Sequence, residues 1–217
     1  MARAAVLLIS IVVAGSIGGA AMSQQAASVR DDPARPAPKG APLKRPADFA
    51  AIGNQTDRSR AMFNEIGRVL THPRCMGCHP AGDHPLQGAD LHEHRPPVAR
   101  GDDAGRLGTK CGGCHTEQNV TLYEAASYQS IPGHPRWGLA PLSMAWQDKS
   151  LREICLQLKD TERNGGRDLK LLQEHVATDD LVAWGWNPGE GREPAPGSQQ
   201  AAGELVQAWI DSGAQCP

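Results

Sequence analysis

The sequence predicts a mainly α-helical single domain in which short helices and long irregular loops wrap two closely spaced sites. Three observations carry that expectation. Apolar residues recur at helical spacing in four separated segments, and no alternating run defines a strand. The stretches 80–110 and 116–145 are rich in Gly, Pro, Asp and His and have little periodicity. A five-residue pattern, C-x-x-C-H, occurs twice: Cys75-Met76-Gly77-Cys78-His79 and Cys111-Gly112-Gly113-Cys114-His115.

Taken in order, the chain opens with Arg3 and an unbroken run of apolar and small residues from Ala4 to Ala21. With small residues at Gly19-Ala20-Ala21 or Ala21-Met22-Ser23, residues 1–23 are expected to be a cleaved signal peptide, the alternative being an N-terminal membrane anchor. Either places the folded part outside the cytoplasm, in the periplasm. Residues 24–48 hold five prolines (Pro33, Pro36, Pro38, Pro42, Pro46) and no apolar period, so a flexible linker is expected there and a domain over 49–217. A first helix is predicted from about Asp57 to Leu70, with Met62, Phe63, Ile66, Val69 and Leu70 on one face, a cap at Thr56 or Asp57, and a stop at Pro73. Ser150-Leu151-Arg152-Glu153 reads as a capping box opening a second helix that Asn164-Gly165-Gly166 ends. A third covers about Asp168 to Ala177. The last runs from a Ser198 cap through Leu205, Val206, Trp209 and Ile210 to a Gly213 stop.

C-x-x-C-H is the attachment signature of a c-type haem: two thiols add across the porphyrin vinyl groups and the histidine that follows binds the iron. Two alternatives use the same cysteines. A thioredoxin-type pair needs a βαβ context that is not visible. A single Cys₄ zinc site leaves both following histidines as coincidence, about one in 700 for a chain with eight histidines in 217 residues. The expected cofactors are therefore two covalent haem c groups, held by Cys75, Cys78, Cys111 and Cys114, with His79 and His115 as proximal iron ligands. Only 31 residues separate the motifs. That is below the roughly 50 residues of the smallest usual domain, so both haems belong to one cytochrome c-like domain. Aromatic residues are 4% of the chain and mean hydropathy is −0.44, a thin core that two haems would augment. A net charge of −2 and pI near 6.4 make no case for nucleic acid.

The sixth iron ligands are less determined. Met144 follows His79 by 65 residues and His115 by 29, so it could serve either iron; packing beside Trp146 is its alternative. His94, between the motifs, and His134, in Pro132-Gly133-His134-Pro135, are the other candidates, against solvent-facing loop histidines. Met62 reads as core and His175 as structural, while His72 and Met76 lie too near the first motif to reach over its haem, though His72 could serve the second. One His/His and one His/Met haem would give electron flow a direction, because a thioether raises the potential. Cys155 and Cys216 remain as an even pair in an oxidising compartment, and a disulfide is expected; the alternative makes Cys155 an iron ligand.

The two motifs, Gly133-His134-Pro135-Arg136-Trp137 with Met144-Ala145-Trp146, Asn164-Gly165-Gly166-Arg167 and Ala208-Trp209-Ile210-Asp211-Ser212-Gly213-Ala214 together resemble a family of small exported dihaem proteins labelled isoquinoline 1-oxidoreductase subunit, over about Phe63 to Pro217. The resemblance implies an electron-transfer cytochrome partnered with a molybdenum hydroxylase. The chain has no molybdopterin domain or Fe–S cysteine pattern of its own. Electron transfer is therefore the expected function, between redox protein donor and acceptor. The alternative is a haem enzyme with one open site, a peroxidase or an oxidoreductase of small sulfur or nitrogen compounds, with Glu93, Asp102 or His92 as acid/base groups; a haem-based gas sensor is a third reading.

Overall fold

Helix α1, Gln55–Leu70, forms where the apolar period placed it, and Met62, Phe63, Ile66, Val69 and Leu70 are all buried. Its cap is Asn54, earlier than expected, whose side chain accepts the Asp57 N–H at 3.1 Å. The computed structural model describes Met1 and residues 42–122 and 130–217. The expected signal segment beyond Met1 and residues 24–41 of the expected linker lie outside the described residues. Among those described, no helix is long and apolar enough to cross a membrane.

After α1, the one-turn helix α2, Pro73–Met76, carries Cys75. The His72 imidazole caps it by accepting the Arg74 N–H, so the bend at Pro73 feeds α1 directly into the first motif. Helix α3, Leu151–Lys159, starts with the expected capping box between Ser150 and Glu153. Helix α4, Leu169–Thr178, is capped by Asp168. Helix α5 is the single turn Asp180–Ala183, and α6 spans Gln199–Asp211 from a Ser198 cap. Gly213 ends α6 in the left-handed region at φ 99°. The core sits where α6 packs on both α1 and α4, with Phe63 and Trp209 rings 5.0 Å apart at the α1–α6 crossing.

Among the described residues the structure is thus partly helical, 41% helix against 6% strand, with long irregular stretches between. Two minimal antiparallel hairpins occur that the sequence did not announce: β1 (Leu86–Gln87) with β2 (His92–Glu93), and β3 (Val120–Thr121) with β4 (Ser130–Ile131). Two-residue ladders are too short to leave an alternating pattern. Irregular chain still has to satisfy its backbone groups, and side chains do this here. Buried Arg100 donates to the carbonyls of Pro80, Gly82 and Ala140 and to the Asp103 carboxylate. Buried Asn164 likewise holds the Leu158 and Arg167 carbonyls.

Two boundaries differ from expectation or confirm it. The packed part starts before Phe49: Leu43 is buried against Val69 and Ala202, the Lys44 N–H donates to Glu65, and Pro46–Phe49 is a 3₁₀ turn. The apolar Leu43 side chain, isolated among prolines, gave no period to read. Cys155 and Cys216 form the expected disulfide, joining α3 to the segment after α6, so Cys155 is not an iron ligand.

The α4–α6 crossing depends on Gly203. A β-carbon there would lie 2.9 Å from the Ala177 Cα and closer still to its Cβ. Ala favours a helix over Gly by about 1 kcal/mol, but forcing a methyl into a packed contact costs roughly 1–3 kcal/mol. Gly203→Ala is therefore expected to destabilise the protein by about 1 kcal/mol despite its better propensity, read as a lower denaturant midpoint. A higher midpoint would contradict the close crossing.

Candidate functional site

The first motif lies at the rim of a cavity of about 320 Å³, bounded by α1, α4, α6 and the chain around 136–146. That volume is within the roughly 300–1,000 Å³ of small-molecule and cofactor sites. Phe63, Ile66, Leu70, Leu172, Leu205 and Val206 make its wall mostly apolar, and Cys75, Cys78 and His79 face it. His79 is held at two points. Its Nδ1 donates to the Met144 carbonyl at 2.6 Å, and its ring stacks on Trp146 with centroids 3.4 Å apart and planes 5° from parallel. A carbonyl can only accept, so the proton is on Nδ1 and the Nε2 lone pair is left for an electrophile. Burial lowers the His79 pKa to about 4, so the imidazole is neutral at pH 7.

Burial also pushes Cys75 up to about 12 and Cys78 up to about 11. The cavity gives both side chains some solvent access, but the protein around them removes most of the bulk water. Thiols protonated at neutral pH are the opposite of the low-pKa pair of a thioredoxin-type centre.

The second motif begins on the 3₁₀ turn Cys111–Gly113 and is more open, with Cys114 exposed and His115 half-buried. The seat of the histidine is nevertheless the same. His115 Nδ1 donates to the Pro132 carbonyl at 2.7 Å, and the ring stacks on Trp137 at 4.6 Å and 12°. Burial lowers its pKa. Gly133 makes this possible: a β-carbon there would run into the Gln118 carbonyl and lie 2.8 Å from that of Thr116. Trp137, stacked on His115, also lines the cavity that the first motif faces, which makes the two motifs near neighbours. Both belong to one compact unit.

The candidate sixth ligands are placed very differently. His94 lies beside the second motif, its ring centroid 5.9 Å from that of His115, and its Nδ1 donates to the Pro96 carbonyl at 2.9 Å. Met144 is buried, and it meets His79 through its carbonyl at Nδ1, the end of the ring away from Nε2. His134 has both nitrogens engaged: Nδ1 accepts the Arg136 N–H and Nε2 faces the Asp180 carboxylate at 3.4 Å. Met62 is core, and His72 is buried as the α2 cap. Of the acid/base candidates, Glu93 is exposed, Asp102 pairs with Lys110, and His92 pairs with Asp90.

Three residues to which sequence reasoning gave no part in the site line the first cavity: Arg74, Trp137 and His175, the last read as structural. Arg74 stands next to Cys75, which was the available signal. Trp137 is in a segment noted only for its resemblance. His175 shares the α4 face of Leu172 and Val176, a pattern that reads as core.

No metal or cofactor is part of the structure, so fit rests on the residues. Among the described residues, no group of three or more His, Cys, Asp or Glu converges, so the four motif cysteines do not make a Cys₄ site. The requirements of a covalent porphyrin are of a different kind: paired thiols, one imidazole with a free Nε2, an apolar slot, and donors for two propionates. All four occur at the first motif. The donors are Arg74 Nε and Trp146 Nε1, both buried and without a hydrogen-bond partner, in residues that line the cavity. Such orphaned donors are costly unless an acceptor arrives. No protein-family model, curated protein or solved structure matches this chain.

Because both ring nitrogens of His134 are occupied, His134→Ala is expected to leave the visible absorption spectrum of the exported protein unchanged. A shifted Soret band would give His134 a part at the iron.

Proposed function

We propose that this chain is an exported electron-transfer protein, with a cytochrome c-like wrap of helices and irregular loops around two covalently attached c-type haems. The observation that supports it most is the repeated seat of His79 and His115. Each donates Nδ1–H to a backbone carbonyl and lies flat against a tryptophan, which fixes the ring plane and keeps Nε2 available. A backbone carbonyl behind a metal-bound imidazole is the usual way to set its tautomer and basicity.

Bound haem supplies reversible one-electron chemistry at iron, with a potential set by axial ligands, burial and hydrogen bonds. Cys75 and Cys78 would anchor one group by thioethers, and Cys111 and Cys114 the other. The apolar wall from α1 and α6 would exclude water from the first, and Arg74 and Trp146 would donate to propionates there. At the second site His94 is the favoured sixth ligand. The ring centroids of His94 and His115 are 5.9 Å apart, near enough for both imidazoles to serve one iron. His84 is a useful contrast: its Nδ1 is also held by a carbonyl, of Val98, but it is exposed.

The Cys155–Cys216 disulfide is compatible with an oxidising compartment and supports a periplasmic location. The resemblance to dihaem subunits makes a molybdenum hydroxylase the proposed electron donor, with a second redox protein as acceptor. Transfer is preferred over catalysis because the acid/base candidates are otherwise engaged or exposed: Asp102 pairs with Lys110, His92 with Asp90, and Glu93 faces solvent.

The exported protein is expected to carry two haems per chain by alkaline pyridine spectroscopy, resistant to acid–acetone extraction. Replacing Cys75 and Cys78 together by Ser is expected to halve that number. Extractable haem, or none, would sink the reading. His94→Ala is expected to convert one haem of the two to a high-spin, CO-binding form, whereas the unaltered protein binds CO slowly or not at all; rapid CO binding by the unaltered protein would favour the open-site enzyme.

A further inference from the structure

The cavity that the first motif faces is also lined by Leu172, His175 and Val176 of α4 and by Asp179 just after it. His175 is the second imidazole in that wall, lining the same cavity as His79. Its Nδ1 lies 3.4 Å from the Asp179 carboxylate, one turn further along α4. Asp179 is itself held, accepting the Leu181 and Val182 N–H groups at the start of α5 at 2.8 and 3.2 Å and facing the Arg136 guanidinium at 3.1 Å. A carboxylate fixed against Nδ1 keeps the proton on that nitrogen and leaves Nε2 for a metal, the same division of labour the carbonyls perform at His79 and His115.

We infer that His175 is the sixth ligand of the iron at the first motif, oriented by Asp179, which makes that site bis-imidazole. The inference rests on the dihaem reading above and deepens it. It gives Met144 a different role: Met144 lines the same cavity, but its backbone carbonyl accepts from His79 Nδ1, so it would hold that imidazole in place. The other protein sulfurs in the cavity wall belong to Cys75 and Cys78, which the thioethers consume.

The test uses the full exported protein, counted first for haem. Fewer than two haems per chain in the unaltered protein would overturn the parent reading, and this one with it. With two present, the unaltered ferric protein is expected to be wholly low-spin and to lack the near-infrared methionine–iron band. His175→Ala is expected to turn one haem of the two high-spin and CO-reactive, with added imidazole restoring the low-spin spectrum. His175→Met, which keeps a ligand and most of the volume, is expected to create the near-infrared band and raise one potential. Asp179→Asn is expected to raise the same potential while both haems stay low-spin, the signature of a positioning residue. A His175→Ala protein that keeps two low-spin, CO-inert haems would overturn the assignment, as would a near-infrared band already present in the unaltered protein and surviving in His175→Ala.

Discussion

The bond from His79 Nδ1 to the Met144 carbonyl joins positions 65 residues apart, and the arrangement of the molecule follows from it. To deliver that carbonyl, the chain returns alongside the first motif. The Ala140 N–H donates to the Cys78 carbonyl and the Trp146 N–H to that of His79, so residues 140–146 are laid against the motif before Ser150 starts α3. The disulfide then ties α3 to the end of α6, α6 packs on α1, and α1 leads through Pro73 back to Cys75. Each link fixes the next. The apolar cavity is what remains inside this closed path, and its rim is the motif itself.

What could be read in advance divides along the same path. Helices α1, α3, α4 and α6 were legible because their signals are local: an apolar period of 3.6, a capping side chain, a glycine or proline stop. The disulfide was legible from compartment and parity. The placement of ligands was not, because it depends on where irregular chain goes. Met144 stands at a plausible sequence distance from His79, yet the chain brings its carbonyl rather than its sulfur to the imidazole. His134 looked available in a Gly/Pro loop, and Arg136 and Asp180 occupy it. His175 looked structural because it lies one turn beyond Leu171 on a helical face, whereas it lines the cavity together with Leu172 and Val176. Which cavity that face meets is decided by the setting of α4 on α6, where Gly203 and Ala177 touch, a tertiary fact with no local signature.

The two sites share a wall. Trp137 stacks on His115 and also lines the cavity that His79 faces, and Trp184 meets it edge-on at 4.8 Å. The ring contact at the second motif is therefore part of the enclosure of the first. Spacing alone predicted closeness from the 31 intervening residues, but it could not say what fills the gap. On the proposed electron-transfer reading, this polarizable aromatic side chain would be a better medium for exchange between the sites than water or a saturated loop.

If imidazole fills both sixth positions, as proposed, ligand identity would not distinguish one haem from the other, and a methionine would not be what gives electron flow its direction. The difference has to come from surroundings, and the two motifs differ strongly there. The first faces a cavity enclosed by three helices, with buried Arg74 beside its cysteines; the second rides an exposed turn. Low dielectric disfavours the extra positive charge of the ferric state, and so does a neighbouring guanidinium. On the proposed two-haem reading, both effects would raise the potential of the first site above the second. Electrons entering at the open turn would then run downhill past Trp137 into the enclosed cavity, a direction set by burial and charge instead of by the metal's ligands.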